Sequence, residues 1–238
     1  MTATPASAAP ASQTLSRGIR VLELLADARA PLAIDELARR LKVHRSIAYR
    51  LVRTLEDHGL VARDSAGRVA LGPRMAALAA AVAQDLQSEA LPELTAIANE
   101  LGMTCFLAVL DRDECITLAS VEPRHVVASV AQRPGARHSI AVGAPSKAIL
   151  STLPETEWPI VVGDALRTEI DEARARGFAT SHDEVIPTVQ AVSVPLRLPA
   201  GQRPAAIAIV HVARPDDPVA IAARLERSAA TIREALGG

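Results

Sequence analysis

Residues 32–72 read LAIDELARRLKVHRSIAYRLVRTLEDHGLVARDSAGRVALG, and their periodicity changes along the way. From 32 to 41, Ile34, Leu37, Ala38 and Leu41 share one face while Asp35, Glu36, Arg39 and Arg40 share the other, which predicts a short amphipathic helix. Lys42-Val43-His44 predicts a turn. A longer helix follows from 45 to 57, with Ile47, Ala48, Leu51, Val52 and Leu55 inward and Gly59 placed to end it. After that the pattern is that of a hairpin: 60–63 and 68–72 predict strands around Asp64-Ser65-Ala66-Gly67, where glycine can supply a positive φ. Upstream, Leu15, Ile19, Leu22 and Leu25 recur at helical spacing and predict a first helix over 15–27. Three helices followed by a two-stranded wing make a winged helix-turn-helix, with bounds at 12–72.

On a wheel of about 100° per residue, Arg45, Ser46, Tyr49, Arg50 and Arg53 gather on the face of the third helix opposite its buried stripe. A helix fits the major groove, arginine can donate two hydrogen bonds to a guanine edge, and Tyr, Ser and Arg can clamp phosphates. A solvated basic face would look the same on this helix alone. The hairpin behind it, with Arg63 and Arg68 beside the tip, favours the DNA reading. Charge agrees: up to Arg74 there are twelve Lys/Arg against seven Asp/Glu, and beyond it fourteen against twenty, within a chain of net charge −1. A basic head on an acidic body is suited to a polyanion met by the head alone.

The remainder fits a second, larger unit. The 238 residues, 49% hydrophobic and 22% charged, are enough for two cores built from Ala, Leu, Val and Ile, since aromatics make up 2%. Residues 1–11, rich in Ala, Ser and Pro, predict a disordered tail without the charged and apolar regions of a signal peptide. No apolar run reaches the roughly 18 residues of a membrane helix, so a cytoplasmic protein that avoids membranes is expected. Residues 73–88 open with Pro73 and continue RMAALAAAVA, apolar almost all round. They predict a linker helix packed against its own copy in a homodimer; an Ala-rich spacer packed within its own chain is the alternative.

From 89 to 238 the pattern is mixed. Helices are expected at 90–101, 144–151, 164–177 and 218–236, and strands at 104–110, 115–121, 126–132, 158–162, 191–198 and 205–213, giving an α+β domain with an antiparallel sheet. Cys105 and Cys115 fall on neighbouring strands whose register would pair Cys115 with Leu110, so both read as buried small hydrophobes and not as a disulfide. No two histidines show metal-ligand spacing, and neither Ser146-Lys147 nor Ser193 sits in a nucleophile motif. No metal, cofactor or catalytic residue is therefore expected. An enzyme, a small hydrolase or transferase whose head serves only dimerisation, is the competing class.

The stretches SRGIRVLELL, LAIDELARRLKVHRSIAYRLVRTLEDHGLV and RDSAGRVALGPRMAAL, and above all YRLVRTLEDHGLV followed by LGPRM, resemble the IclR family of bacterial transcriptional regulators. Further on, PGARHSIAVGAPSKA is similar to the family's small-residue turn into a Gly-Lys-Ala helix start, with Ser146 in place of that glycine. ARGFATSHDE running to AVSVP resembles its Arg-Gly-aromatic segment, with Glu184 read as a structural carboxylate tying loops together. The resemblance implies a GAF-like sheet flanked by helices. It also implies a repressor of a catabolic operon that binds an operator as a dimer or a dimer of dimers. It places an effector carboxylate on the amides of Gly143 and Ala144, against a wall mapping to Ser129, Ser181, Val189, Ala191, Ala208 and Val210. Several of these positions are often polar in the family and are apolar here. A small acid with an apolar or aromatic body suits such walls, because a polar ligand would leave hydrogen-bonding groups unpaired.

Overall fold

The computed structural model describes residues 12–125, 130–199, 201–212 and 217–237. The expected tail at 1–11, Ser129, and the first four residues of the strand expected at 126–132 lie outside them. Two compact units divide the chain, the first ending at Val82 and the second beginning at Ala83. No helix among the described residues is long and apolar enough to cross a membrane.

The first unit contains α1 (Gln13–Ala28), α2 (Ile34–Leu41), α3 (Arg45–Asp57), β1 (Val61–Arg63) and β2 (Val69–Leu71). Ser12 caps α1 by accepting from the Leu15 amide. The helix expected from Leu32 starts at Ile34, because Leu32 first exchanges two backbone hydrogen bonds of 2.8 Å with Val69 and adds a bridge to the wing. β1 and β2 pair antiparallel with Val61 opposite Leu71, around a turn in which Gly67 has φ 74°. Val21, Leu25, Leu37, Leu51, Val52, Val61 and Val69 form the core. Ile47, expected inside, is 37% exposed: it lies about 100° from Ala48 and about 40° beyond Leu51, at the edge of the buried stripe.

The linker is not one helix. α4 (Arg74–Ala79) buries none of its residues within its own chain, and tight i to i−3 bonds from Ala81 and Val82 close its end. Ala83 is left-handed at φ 47°, and α5 (Gln84–Leu101) starts after it. Alanine favours helix, but a segment this short with no buried face lacks the packing that holds most protein helices together.

In the second unit, β3 (Thr104–Asp111), β4 (Glu114–Val121), β5 (Arg137–Ser139), β6 (Ala179–His182), β7 (Val189–Leu196) and β8 (Ala205–Val212) form an antiparallel sheet in the order β5-β4-β3-β8-β7-β6. α5 and α8 (Pro218–Ala235) cover one face; α6 (Ala144–Leu150) and α7 (Asp164–Arg176) cover the other. Strand alternation sorts side chains by size. Leu107, Val194, Ile207 and Ile209 face α5 and α8, whereas Ala108, Ala191, Ala206 and Ala208 face α6 and α7. The alanine face lets α6 approach closely enough that all seven of its residues are buried.

The strand expected at 158–162 is absent. A single 3-10 turn at Glu155–Glu157 is followed by Trp158, whose indole N–H donates to the Leu150 carbonyl at 3.1 Å, while Val161 is fully exposed. Residues 130–132 are likewise irregular. The short edge strands β5 and β6 were not expected.

Register pairs Cys115 with Leu110 and Cys105 with Val121, and the two cysteines belong to cores on opposite faces of the sheet. Both are free. Burial raises the Cys105 thiol far above its ordinary value and pushes Cys115 up to about 12. At pH 8 a thiol of that kind is thiolate in roughly one molecule in ten thousand. Neither cysteine is therefore expected to react with Ellman's reagent in the folded protein, and both should react in denaturant. A thiol equivalent titrating under native conditions would contradict this burial.

Candidate nucleic-acid interface and effector pocket

α3 starts at Arg45 because His44 caps it: the imidazole Nδ1 accepts from the Ser46 amide at 3.3 Å and lies 2.8 Å from the Ser46 hydroxyl. Ala48, Leu51 and Val52 anchor the opposite face in the core. Arg45, Ser46, Tyr49, Arg50 and Arg53 are all exposed. Arg45 forms an ion pair with Asp35 at 2.9 Å in which both side chains are 70% exposed, a pairing that water weakens and a phosphate could replace. Arg50 and Arg53 have no ion pair among the described residues, so their guanidinium groups stand open to a partner.

The wing arginines differ from this. Arg63 is turned inward, 3.0 Å from Glu56 and 5.2 Å over the Tyr49 ring, with 24% of its side chain exposed. It is a support for Tyr49 more than a free cation. Arg68 is exposed and pairs with Asp64 at 2.8 Å. Asp64 also accepts from the amides of Arg68 and Ala66, at 2.9 and 3.0 Å, and so shapes the wing tip. These bonds, the Arg68 amide first, hold its carboxyl below the usual carboxylate range. Neither His44 as a cap nor the Arg63–Tyr49 stack was expected, although the His-x-Ser spacing at the helix start was visible in the sequence.

In the second unit Gly143, Ser181, Val189, Ala191 and Val210 line one cavity of about 40 Å³, room for a water or two. Ala144 and Ala208, also expected in the wall, are fully buried in the core and are not among its lining residues. Phe106, His138, Glu184, Val185 and Ile186 complete much of the lining; of these, Phe106, Glu184, Val185 and Ile186 were not expected there. Gly143 has φ 89° and ψ 148°, open to glycine, and a Cβ on it would stand 3.1 Å from both His138 and Val185. Its amide is occupied: it donates to Glu184 Oε2 at 2.8 Å. Glu184 Oε1 accepts from Lys147 Nζ at 2.5 Å, so this carboxylate ties the segment after β6 to α6 across the pocket.

The other polar residues nearby go elsewhere. His138 Nδ1 lies 3.0 Å from the Ser139 carbonyl, Arg137 lies 3.7 Å from Glu114, and His182 lies 3.5 Å from Asp183. Among the described residues no three His, Cys, Asp or Glu side chains form a group that could hold a metal ion.

Comparison with known proteins accounts for both units. Residues 14–65 match the IclR helix-turn-helix domain, and residues 78–232 match the bacterial transcriptional regulator IclR C-terminal domain. The HTH-type transcriptional regulator Rv1719 of Mycobacterium tuberculosis is 30% identical over 200 residues, covering 78% of this chain and 77% of that protein. The crystal structure of a transcriptional regulator from Alicyclobacillus acidocaldarius superposes with a TM-score of 0.83 at 27% identity, covering 96% of this chain and 100% of the other. A homologue from Microbacterium hydrocarbonoxydans, crystallised in complex with 4-hydroxybenzoate, has the same fold at a TM-score of 0.81 and 24% identity, covering 94% of this chain and 99% of that one. The chain belongs to the IclR family of bacterial transcriptional regulators, with an N-terminal DNA-binding helix-turn-helix and a C-terminal effector-binding domain.

Proposed function

We propose that this protein is a one-component repressor of a catabolic operon, which binds a near-palindromic operator as a homodimer, or as a pair of dimers, and responds to a small acid with an apolar or aromatic body. The observation that carries the DNA half is the set of open guanidinium groups on α3, Arg50 and Arg53, beside an exposed Tyr49 propped by Arg63. Arg45 and Ser46 extend this face toward the helix start, and Arg68 offers a cation at the wing. The exposed apolar side chains of Leu78 and Val82 in the connector suit packing against a second copy. Two recognition helices about 34 Å apart would then read successive turns of the major groove.

The acid reading is supported by Gly143 opening α6 and by the apolar wall of Val189, Ala191 and Val210 facing it. An aromatic carboxylate occurs in the Microbacterium complex. Effector binding would shift the balance between conformations that fit the operator well and poorly.

The test is a salt-dependent gel shift on DNA flanking the protein's own coding region, repeated with a panel of acids. Arg50→Ala and Tyr49→Ala should each weaken specific binding by roughly 1–3 kcal/mol if a direct base contact is lost. Wild-type operator affinity in both variants would show that α3 does not read DNA. Saturation by a very polar acid such as glyoxylate, with no response to aromatic acids, would rule out the apolar effector.

A further inference from the structure

Residues 183–188 connect β6 to β7, and their Glu184, Val185 and Ile186 form one wall of the 40 Å³ cavity. The connection is pinched at its base. Asp183 and Thr188 are both left-handed, at φ 60° and 65°, the Asp183 amide donates to the Val189 carbonyl at 3.0 Å, and the Asp183 carboxylate accepts from the Thr188 amide. Between these two points the strap's polar tie to the rest of the unit is Glu184, which accepts from Gly143 N–H at 2.8 Å and from Lys147 Nζ at 2.5 Å, while Val185 packs beside Gly143. Val185 and Ile186 keep 46% and 39% of their surface in solvent.

The charges at this point are unusual. The Lys147 side chain is 4% exposed, yet it meets two carboxylates, Glu184 and Glu169, and also approaches the Thr180 carbonyl at 3.4 Å. One carboxylate neutralises a buried ammonium, so the second, on the half-exposed Glu169, gives these three side chains a net negative charge, with the Arg176 guanidinium, 3.3 Å from Thr180 Oγ1, as the neighbouring cation. A third carboxylate, brought by a ligand, would be repelled unless one of the first two left. The Gly143 amide has one hydrogen and already spends it on Glu184. Space on the Gly143 side gives the same answer: the cavity there is about 40 Å³, whereas about 150 Å³ is what holds a benzene ring, and the larger cleft of about 480 Å³ lies on the Glu169 and Arg176 side of Glu184.

We propose that Glu184 is an internal stand-in for the effector's carboxylate, and that an acid binds by exchange: it takes over Gly143 N–H and the approach to Lys147 as Glu184 and its strap swing out. Glu169 stays on Lys147 throughout. The exchange makes the site selective for anions, because a neutral analogue cannot replace the ion pair it breaks. It also lowers the apparent affinity by the fraction of molecules in which the strap is open. This inference rests on the acid-effector reading above and adds to it the residue that the ligand must displace.

Isothermal titration of the full-length protein with benzoate and with benzamide tests it, using the wild type, Glu184→Ala and the conservative Glu184→Gln. Glu184→Ala should bind benzoate about tenfold more tightly or better, and Glu184→Gln should move in the same direction by a smaller factor, as the competing carboxylate is removed. Benzamide should gain less than about threefold in either variant, since it never competed for the ion pair. Measurable wild-type benzoate binding that is unchanged or weaker in both variants would overturn the exchange and leave the acid-effector reading standing. An equal gain for benzamide would also overturn it, as that is the mark of a merely loosened strap. Failure of all three proteins to bind benzoate would overturn the aromatic-acid form of the acid-effector reading, and the exchange with it.

Discussion

Leu37→Ala is expected to unfold the DNA-binding unit and leave the effector-binding unit intact. Leu37 is fully buried at the centre of a core that includes Val21, Leu51, Val52 and Val69. Removing three carbons there loses their transfer energy and opens a cavity that packed neighbours fill only partly, about 2–5 kcal/mol in all. A core of this size rarely supplies more than about 3–5 kcal/mol, so the loss takes most of the unit's margin. The second unit has two cores of its own and shares no residue with this one. Calorimetry should show one transition lost or moved far down and another in place, and operator binding should vanish at growth temperature. One shared transition, shifted as a whole, would mean that the units fold as a single cooperative body.

The second large effect is expected at Gly72, where the wing leaves the unit. A Cβ on Gly72 would stand 2.3 Å from the Gly59 carbonyl oxygen and 3.0 Å from the Leu60 carbonyl carbon. Both are backbone atoms, which cannot rotate away as a side chain would. The Gly72 amide also donates to the Leu60 carbonyl at 2.8 Å, so the chain leaving the wing is tied to the chain entering it. Gly72→Ala must push these two segments apart, at about 3 kcal/mol, the upper part of the usual range for overpacking. For a unit of this size that is a fall in melting temperature of roughly 10–20 °C. Operator affinity should fall as well, because Arg68 and the wing tip run directly into β2 and move with it. A variant melting at the wild-type temperature would show that the close approach relaxes freely.

The head was legible because its signals are local. The bounds of α3 follow from a periodic stripe, and the wing follows from a glycine-bearing turn between two short apolar runs. Its errors were also local: Ile47 lies beside the stripe and not on it, and Leu32 was spent on a bridge to Val69, which no helical pattern reveals. The same is true of the sheet. Long strands such as β3, β7 and β8 announce themselves by apolar content, whereas β5 and β6 are too short for alternation to show. The run at 158–162 looked like a strand because it is apolar, yet Trp158 is held by the Leu150 carbonyl and Val161 points to water.

What the sequence could not show is pairing across distance. Glu184 and Lys147 are 37 residues apart, and nothing in either segment says that they meet. Glu184 was legible as a structural carboxylate but not as the group occupying the Gly143 amide. Arg63 likewise read as a wing cation until the fold placed Glu56 and Tyr49 around it. Such assignments depend on which strands neighbour one another, a property of topology that composition and spacing do not carry.

The poverty in aromatic residues has one more consequence. Trp158 is the chain's one tryptophan, fixed by its bond to Leu150 at the end of α6 and covered by Arg167 5.3 Å from its ring. Tyr49 is its one tyrosine, on the exposed face of α3. Each unit thus carries a single native fluorophore of its own colour. Light emitted from the indole reports on the far end of the same short helix that Gly143 precedes, and light from the phenol reports on the proposed DNA-facing surface, so occupancy of the two halves can be followed optically without a label.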